Sequence, residues 1–205
     1  MRIGILAVQG DYQAHARVLE RLGADYFFVR TPDEAARAEA MILPGGESTT
    51  MLKFIQEEGI EAPLRALAAR GGAFLATCAG AILMAREVRG PAQWSLGLAD
   101  LVLTRNAYGR QLASEVRYAP SKLKPEPLEM VFIRAPLIEE IGPQVEVLAS
   151  ENGRPVLVRQ GKMLVATFHP ELTPDATIHE YFLKLAAEPA YSVPASPRAE
   201  AALSS

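Results

Sequence analysis

Ala73-Phe74-Leu75-Ala76-Thr77-Cys78-Ala79-Gly80-Ala81-Ile82-Leu83-Met84 is the stretch that decides the fold. Ala73 to Thr77 is an unbroken run of small and apolar residues, which predicts a strand buried on both faces of a parallel sheet. A helix is expected to start at Ala79 and to carry Ile82, Leu83 and Met84. Cys78 falls on the turn between them. The small residues around it allow the sharp strand-to-helix turn that displays a nucleophile. Such a turn sets the sulfur at a helix N-terminus, where the macrodipole favours thiolate, and lets the Ala79 N–H help hold an oxyanion. A buried structural cysteine fits the same position, because an apolar strand end also suits sulfur.

Working outward, the same rhythm extends over the first half of the chain. Arg2 to Val8 predicts a first strand, Tyr12 to Leu22 a helix closed by Gly23, and Asp25 to Val29 a second strand. A short helix over Ala35 to Glu39 and a third strand over Ala40 to Leu43 follow, then helices over Thr49 to Glu58 and Ala62 to Arg70. Strands alternating with helices imply a mostly parallel central sheet with helices on both faces, and ligands then bind at the carboxyl ends of the strands. The second half changes character. Strands are expected at Leu101 to Arg105, Glu129 to Arg134, Val145 to Ala149, Pro155 to Arg159 and Met163 to Thr167. Turns at Asn152-Gly153 and Gln160-Gly161 make the last three an antiparallel meander. Ile178 to Ala186 predicts a closing helix. One domain over residues 1–187 is expected, with a loosely packed Pro-, Ala- and Ser-rich tail over 188–205.

Composition narrows the function. Of 205 residues 49% are hydrophobic, which fits a globular chain, and the net charge of −3 gives no basic face for nucleic acid. The single cysteine allows neither an intrachain disulfide nor a cysteine metal cluster, and fits a reducing, cytoplasmic setting. The apolar start is too short for a signal segment, and no stretch reaches the roughly 18 apolar residues of a membrane helix.

His169 shifts the balance on Cys78. His169-Pro170-Glu171 follows the Met163 to Thr167 strand, and in extended backbone His169 and Glu171 face the same way. A nucleophile, a base and an orienting carboxylate make a triad, although a histidine and a glutamate after a strand also form ordinary surface pairs. The other histidines, His15 and His179, lie on expected helices and read as structural or solvated. Gly45-Gly46-Glu47-Ser48-Thr49 lets backbone approach a ligand and aim an N–H at it; it equally reads as a helix opening capped by Ser48 or Thr49. The absence of a following Gly-Lys-Ser or Gly-Lys-Thr argues against a phosphate loop. Arg105 in Arg105-Asn106-Ala107-Tyr108-Gly109-Arg110-Gln111, and Arg134 in Ile133-Arg134-Ala135-Pro136, can fork onto a substrate carboxylate, or be solvated surface charges.

Together these segments resemble the class I (triad) glutamine amidotransferases, and within them the glutaminase subunits of pyridoxal 5'-phosphate synthase. The resemblance rests on Ile3 to Gly10, Leu43 to Thr49, Thr77 to Gly80, Arg105 to Gln111, Phe132 to Pro136 and Phe168 to Leu172. The cysteine elbow with His-Pro-Glu points to the superfamily; the Gly-Gly-Glu-Ser-Thr and Arg-Asn-Ala-Tyr-Gly-Arg-Gln loops point to the pyridoxal phosphate branch. One departure is Ala76, two before the cysteine, where the family often has glycine. The resemblance implies a flavodoxin-like glutamine amidotransferase fold. It also implies hydrolysis of L-glutamine with Cys78 as nucleophile, His169 as base then acid, and Glu171 orienting it. Gly46, Glu47, Ser48, Arg105, Ile133 and Arg134 would contact glutamine, and Gly46 and Ala79 would form the oxyanion hole. It implies a heteromeric partner, a synthase barrel that receives the ammonia and joins it to a pentose phosphate and a triose phosphate. Neither cofactor nor metal is implied for this chain. The alternatives are a glutaminase serving another synthase, such as imidazole glycerol phosphate synthase, and a non-catalytic binding module on the same scaffold.

Overall fold

A computed structural model of the chain describes residues 1–105 and 114–189. The expected Asn106 to Gln111 part of the arginine loop, and the tail beyond Pro189, lie outside the described residues.

The frame is a seven-stranded sheet. β1 (Ile3–Leu6), β2 (Tyr26–Val29), β3 (Ala40–Leu43) and β4 (Ala73–Thr77) run parallel, as their apolar runs predict. β5 (Ala85–Arg89) and β6 (Ala99–Thr104) pair with β9 (Leu137–Ile141) in a separate three-stranded sheet, and β7 (Glu115–Ala119) pairs with β8 (Leu128–Phe132) in a ribbon. β10 (Glu146–Glu151), β11 (Arg154–Gln160) and β12 (Met163–Ala166) form the antiparallel meander. The meander joins the parallel core as expected: β12 lies parallel to β4, so the order across the large sheet is β10-β11-β12-β4-β3-β1-β2.

Alternate residues of the central strands feed two cores. Ile3, Ile5, Ala40, Ile42, Ala73 and Leu75 pack on one face against Leu19 of α1 (Tyr12–Arg21) and against Ile178, Phe182 and Leu185 of α6 (Thr177–Ala187). Met41, Leu43, Phe74 and Ala76 pack on the other face. There they meet α3 (Ser48–Glu57), α4 (Glu61–Ala69) and α5 (Ala79–Met84) through Met51, Ile55, Leu64, Leu67 and Leu83. Phe74 and Phe182 are fully buried, each a burial worth about 1.5–3 kcal/mol.

Two local expectations shift. The short helix α2 spans Pro32–Ala36, not Ala35 to Glu39. Thr31 and Glu34 form a capping box and Pro32 takes the first turn, so the start signal sat three residues earlier than the apolar residues implied. α3 is capped by Glu47, whose carboxylate accepts from the N–H groups of Thr49 (3.1 Å) and Thr50 (2.7 Å), and not by Ser48 or Thr49.

Candidate active site

Strand order builds the site. β12, β4, β3 and β1 are neighbours running in one direction, so the segments following them meet along one sheet edge: His169 after β12, Cys78 after β4, Gly45-Gly46 after β3, and Gln9-Gly10 after β1. This is where α/β sheets bind ligands.

The turn at Cys78 is strained. Its backbone sits at φ 47° and ψ −103°, a left-handed conformation that a side-chain-bearing residue adopts at a cost of about 1–3 kcal/mol. Hydrogen bonds over-determine it: the Cys78 N–H donates to Ala166 O at 2.9 Å, and the Gly80 N–H donates to Pro44 O at 3.1 Å. A side chain on Gly80 would collide with the Leu43 carbonyl, so α5 presses directly on β3. Ala76 is fully buried in the strand before this turn, and its methyl is accommodated. The Ala79 N–H opens α5, where first-turn donors lack an intrahelical acceptor.

His169 is buried opposite the sulfur. Its Nδ1 is 2.8 Å from Glu171 Oε1, and its own N–H donates to Val131 O at 2.8 Å. His169 and Glu171 stay together although the segment is a 3-10 turn (Pro170–Leu172) rather than an extended strand. Burial disfavours the charged imidazole, but hydrogen bonds and charge from Cys78 and Glu171 outweigh it and raise the His169 pKa to about 10. Burial likewise opposes ionisation of Glu171, yet His15 and His169 hold its carboxyl below the usual range.

These groups face a cavity of about 290 Å³ that suits a ligand of amino-acid size. Gly46, Glu47, Ser48, Arg105, Ile133 and Arg134 all line it together with Cys78, Ala79 and His169; Glu171 stands behind His169. Arg134 also has a positive φ, 47°, so the backbone is bent at a second wall of the cavity. The Cys78 sulfur lies 3.8 Å from the Ile133 carbonyl oxygen. Burial works against the Glu47 carboxylate, but the bonds from Thr50 and Thr49 carry its pKa down to about 2, so Glu47 is an anion committed to its helix.

Gln9, which the end of the first strand puts at this edge, accepts the Glu47 N–H on its side-chain oxygen at 2.7 Å. Two contributors escaped the sequence. Asp11 stands 3.7 Å from His169 Nδ1, and its position just after the first strand's turn was the available signal. Gln93 accepts from Arg105 and, at 3.1 Å, from the Ser48 hydroxyl, fixing two wall residues; nothing in its local sequence marks it. Asp11, His169 and Glu171 also form the one grouping among the described residues that could ligate a metal ion, and a metal there would compete for the nitrogen that His169 turns to Glu171. No helix among the described residues is long and apolar enough to cross a membrane.

A strained cysteine elbow, a buried histidine–carboxylate pair and an amino-acid-sized cavity at the carboxyl edge of a parallel sheet define the class: a triad-type glutamine amidotransferase. Family-level comparison agrees. The chain belongs to the SNO glutamine amidotransferase family, whose profile spans residues 5–188. It is 53% identical over 185 residues to a pyridoxal 5'-phosphate synthase subunit PdxT of Koribacter versatilis, covering 90% of this chain and 95% of that protein. It is 46% identical over 196 residues to the PdxT of Deinococcus radiodurans, covering 93% and 100%. Among solved structures, a glutamine amidotransferase of 44% identity superposes with a TM-score of 0.84 over 91% of this chain and 99% of the other. PurLQS from Thermotoga maritima, 17% identical with a TM-score of 0.64 over 89% of this chain and 97% of the other, shares the fold.

Proposed function

We propose that this chain hydrolyses the side-chain amide of L-glutamine and passes the ammonia to a pyridoxal 5'-phosphate synthase partner. The observation that carries the chemistry is the convergence of the strained Cys78 turn and the His169–Glu171 pair on one cavity. Cys78 gives its thiol proton to His169, Sγ attacks the amide carbon, and the C=O electrons move onto oxygen. The Ala79 N–H and a backbone N–H at Gly46 are the donors for that oxyanion. As the intermediate collapses, the C–N bond breaks and His169 gives its proton to the departing nitrogen, which leaves as ammonia. Water then attacks the thioester, His169 takes its proton, and the C–S bond breaks to release glutamate and restore Cys78. Glu171 holds His169 in the orientation both steps require. Arg105 and Arg134 offer guanidinium groups to the α-carboxylate of glutamine, while Gly46, Glu47, Ser48 and Ile133 shape the wall around it.

The partner assignment rests on the relatives being synthase subunits and on coverage of nearly their whole length. A heteromeric complex in the cytoplasm is the setting that fits such a protein. The deciding experiment measures ammonia and glutamate from glutamine, with and without the barrel component of a pyridoxal phosphate synthase. Stoichiometric glutamate and ammonia, together with pyridoxal phosphate made from glutamine only when both chains are present, support the assignment. Hydrolysis with no transfer to that synthase would leave a glutaminase serving a different acceptor.

A further inference from the structure

Behind the cavity, a row of buried polar groups runs from α6 to the triad. His15 on α1 and His179 on α6 are both fully buried, and neither lines the cavity. His15 Nδ1 lies 2.9 Å from His179 Nε2. On the other side of its ring, His15 Nε2 lies 3.2 Å from Thr77 Oγ1 and 3.5 Å from Glu171 Oε2. Glu171 Oε1 is already engaged by His169, whereas Oε2 is buried with no hydrogen-bond partner among the described residues, and His15 Nε2 faces it at 3.5 Å. We propose that His15 is a positioning residue for the triad: backed by His179, it presents its Nε2–H to Glu171 Oε2 and so keeps that carboxylate ionised and aimed at His169.

Donor bookkeeping fixes the direction. Burial holds both rings neutral, lowering the His15 pKa and taking that of His179 to about 3, so each ring carries one N–H. Were that proton on His15 Nδ1, it would donate to His179 Nε2, and the His179 proton would be stranded on Nδ1, which has no partner among the described residues. His15 would then also turn a bare lone pair on the Glu171 carboxylate. With both protons on Nε2, His179 donates to His15 and His15 donates toward Glu171 and Thr77. His179 Nδ1 is then left as an unpaired acceptor, which costs less than a buried unpaired N–H, and Glu171 Oε2, also without a hydrogen bond among the described residues, faces a donor rather than a lone pair. Thr77 immediately precedes Cys78, so the same ring also touches the strand that carries the elbow.

The charged and titratable groups facing this row are few. Asp11 approaches His169 from the start of α1, Cys78 from the elbow, and Arg21 acts on His179 from the end of α1. Glu47, Arg105 and Arg134 stand across the cavity. Without the His15 donor, a buried carboxylate holds its charge less well, the His169 imidazolium loses its counter-charge, and Cys78 becomes less reactive. Glutamine binding is untouched, because His15 is walled off from the cavity.

This inference rests on the glutaminase assignment, but its test does not need turnover. The chain holds three histidines and one cysteine, so both signals are unambiguous. In the full-length protein labelled with 15N-histidine, NMR should show His15 and His179 as Nε2–H tautomers at neutral pH. His15→Leu should slow iodoacetamide alkylation of Cys78 at pH 7 by about tenfold, moving its rate–pH profile upward, and lower kcat about tenfold with KM for glutamine unchanged. His15→Gln, which keeps an N–H at the end of the side chain, should restore most of both. An Nδ1–H tautomer at His15, or a folded His15→Leu with wild-type alkylation, would overturn the proposal. Should His15→Leu fail to fold, the tautomers of the wild-type protein still decide. Loss of glutamine hydrolysis in the wild type, with the tautomers and alkylation as stated, would refute the glutaminase assignment and leave the relay standing.

Discussion

Gly45→Ala should disable the site while leaving the fold in place. Gly45 lacks the left-handed backbone that penalises a side chain, so the effect is purely steric. A Cβ there would run into the His169 ring, colliding with Cε1 and sitting 2.8 Å from Nδ1 and 3.3 Å from Nε2. The ring cannot yield freely, because Glu171 holds Nδ1 at 2.8 Å and the His169 N–H is tied to Val131 O at 2.8 Å. Relief therefore breaks or stretches the His169–Glu171 hydrogen bond. A hydrogen bond to a charged group contributes about 1.5–3 kcal/mol, which corresponds to about 10–150-fold in rate. A ring displacement of ~1 Å gives a similar figure of about 10²-fold. The assay is steady-state ammonia release, beside a melting curve. Gly59→Ala is the control: it has a φ of 72° but nothing within 4 Å, so it should cost some stability and no activity. A Gly45→Ala protein with wild-type kcat would refute the placement of His169 against the glycine loop.

The remaining predictions are shorter. Cys78→Ala and His169→Asn should abolish ammonia release with the fold intact, and Glu171→Gln should be milder, because an orienting group contributes less than the base; equal wild-type activity in all three would remove the triad. Stability should peak near pH 6.5 in calorimetry. Below that value the unfolded chain protonates His15 and His179 while the fold keeps them neutral, and above it the unfolded chain loses the His169 proton that the fold retains up to about pH 10; a melting temperature flat across this range would contradict the assigned states. Deleting residues 190–205 should move the melting temperature by less than about 2 °C, whereas a cut that also removes Glu188 should cost more, since its carbonyl accepts from the buried Lys162 ammonium. The free chain should turn over slowly and be accelerated at least about tenfold by the synthase barrel, because a peptide unit in the two-glycine loop can rotate at small steric cost and so aim an N–H into or away from the oxyanion; equal turnover with and without the partner, or full activation of Gly46→Pro, would contradict this.

The parallel half of the sheet was legible because β1, β3 and β4 are buried throughout and therefore nearly all apolar. Ala40–Leu43 and Ala73–Thr77 fall where the sequence puts them. β5, β7 and β9 were not legible, for a shared reason. Ala85-Arg86-Glu87-Val88-Arg89 and Glu115-Val116-Arg117-Tyr118-Ala119 are largely exposed and charged, and Leu137-Ile138-Glu139-Glu140-Ile141 does not alternate. Their pairing is set by the partner strand rather than by a pattern of their own. Which strand joins the meander to the parallel core escaped as well, since periodicity marks a strand without naming its neighbour.

The site divides along the same line. Cys78, His169 and the glycine loop each follow a recognisable strand, so local sequence and one topological rule bring them to a common edge. The groups that tune them do not announce themselves. His15 and His179 are 164 residues apart and sit on helices where a lone histidine reads as incidental. Only packing α1 and α6 on the same face of the sheet turns them into one buried pair behind Glu171. A buried imidazole in an otherwise apolar helix face is costly unless its nitrogens are engaged, so each was a question that one-dimensional reading could pose but not answer. The answer needed the third dimension: the partner of each histidine is the other, and the acceptor they serve is the carboxylate on which the base depends.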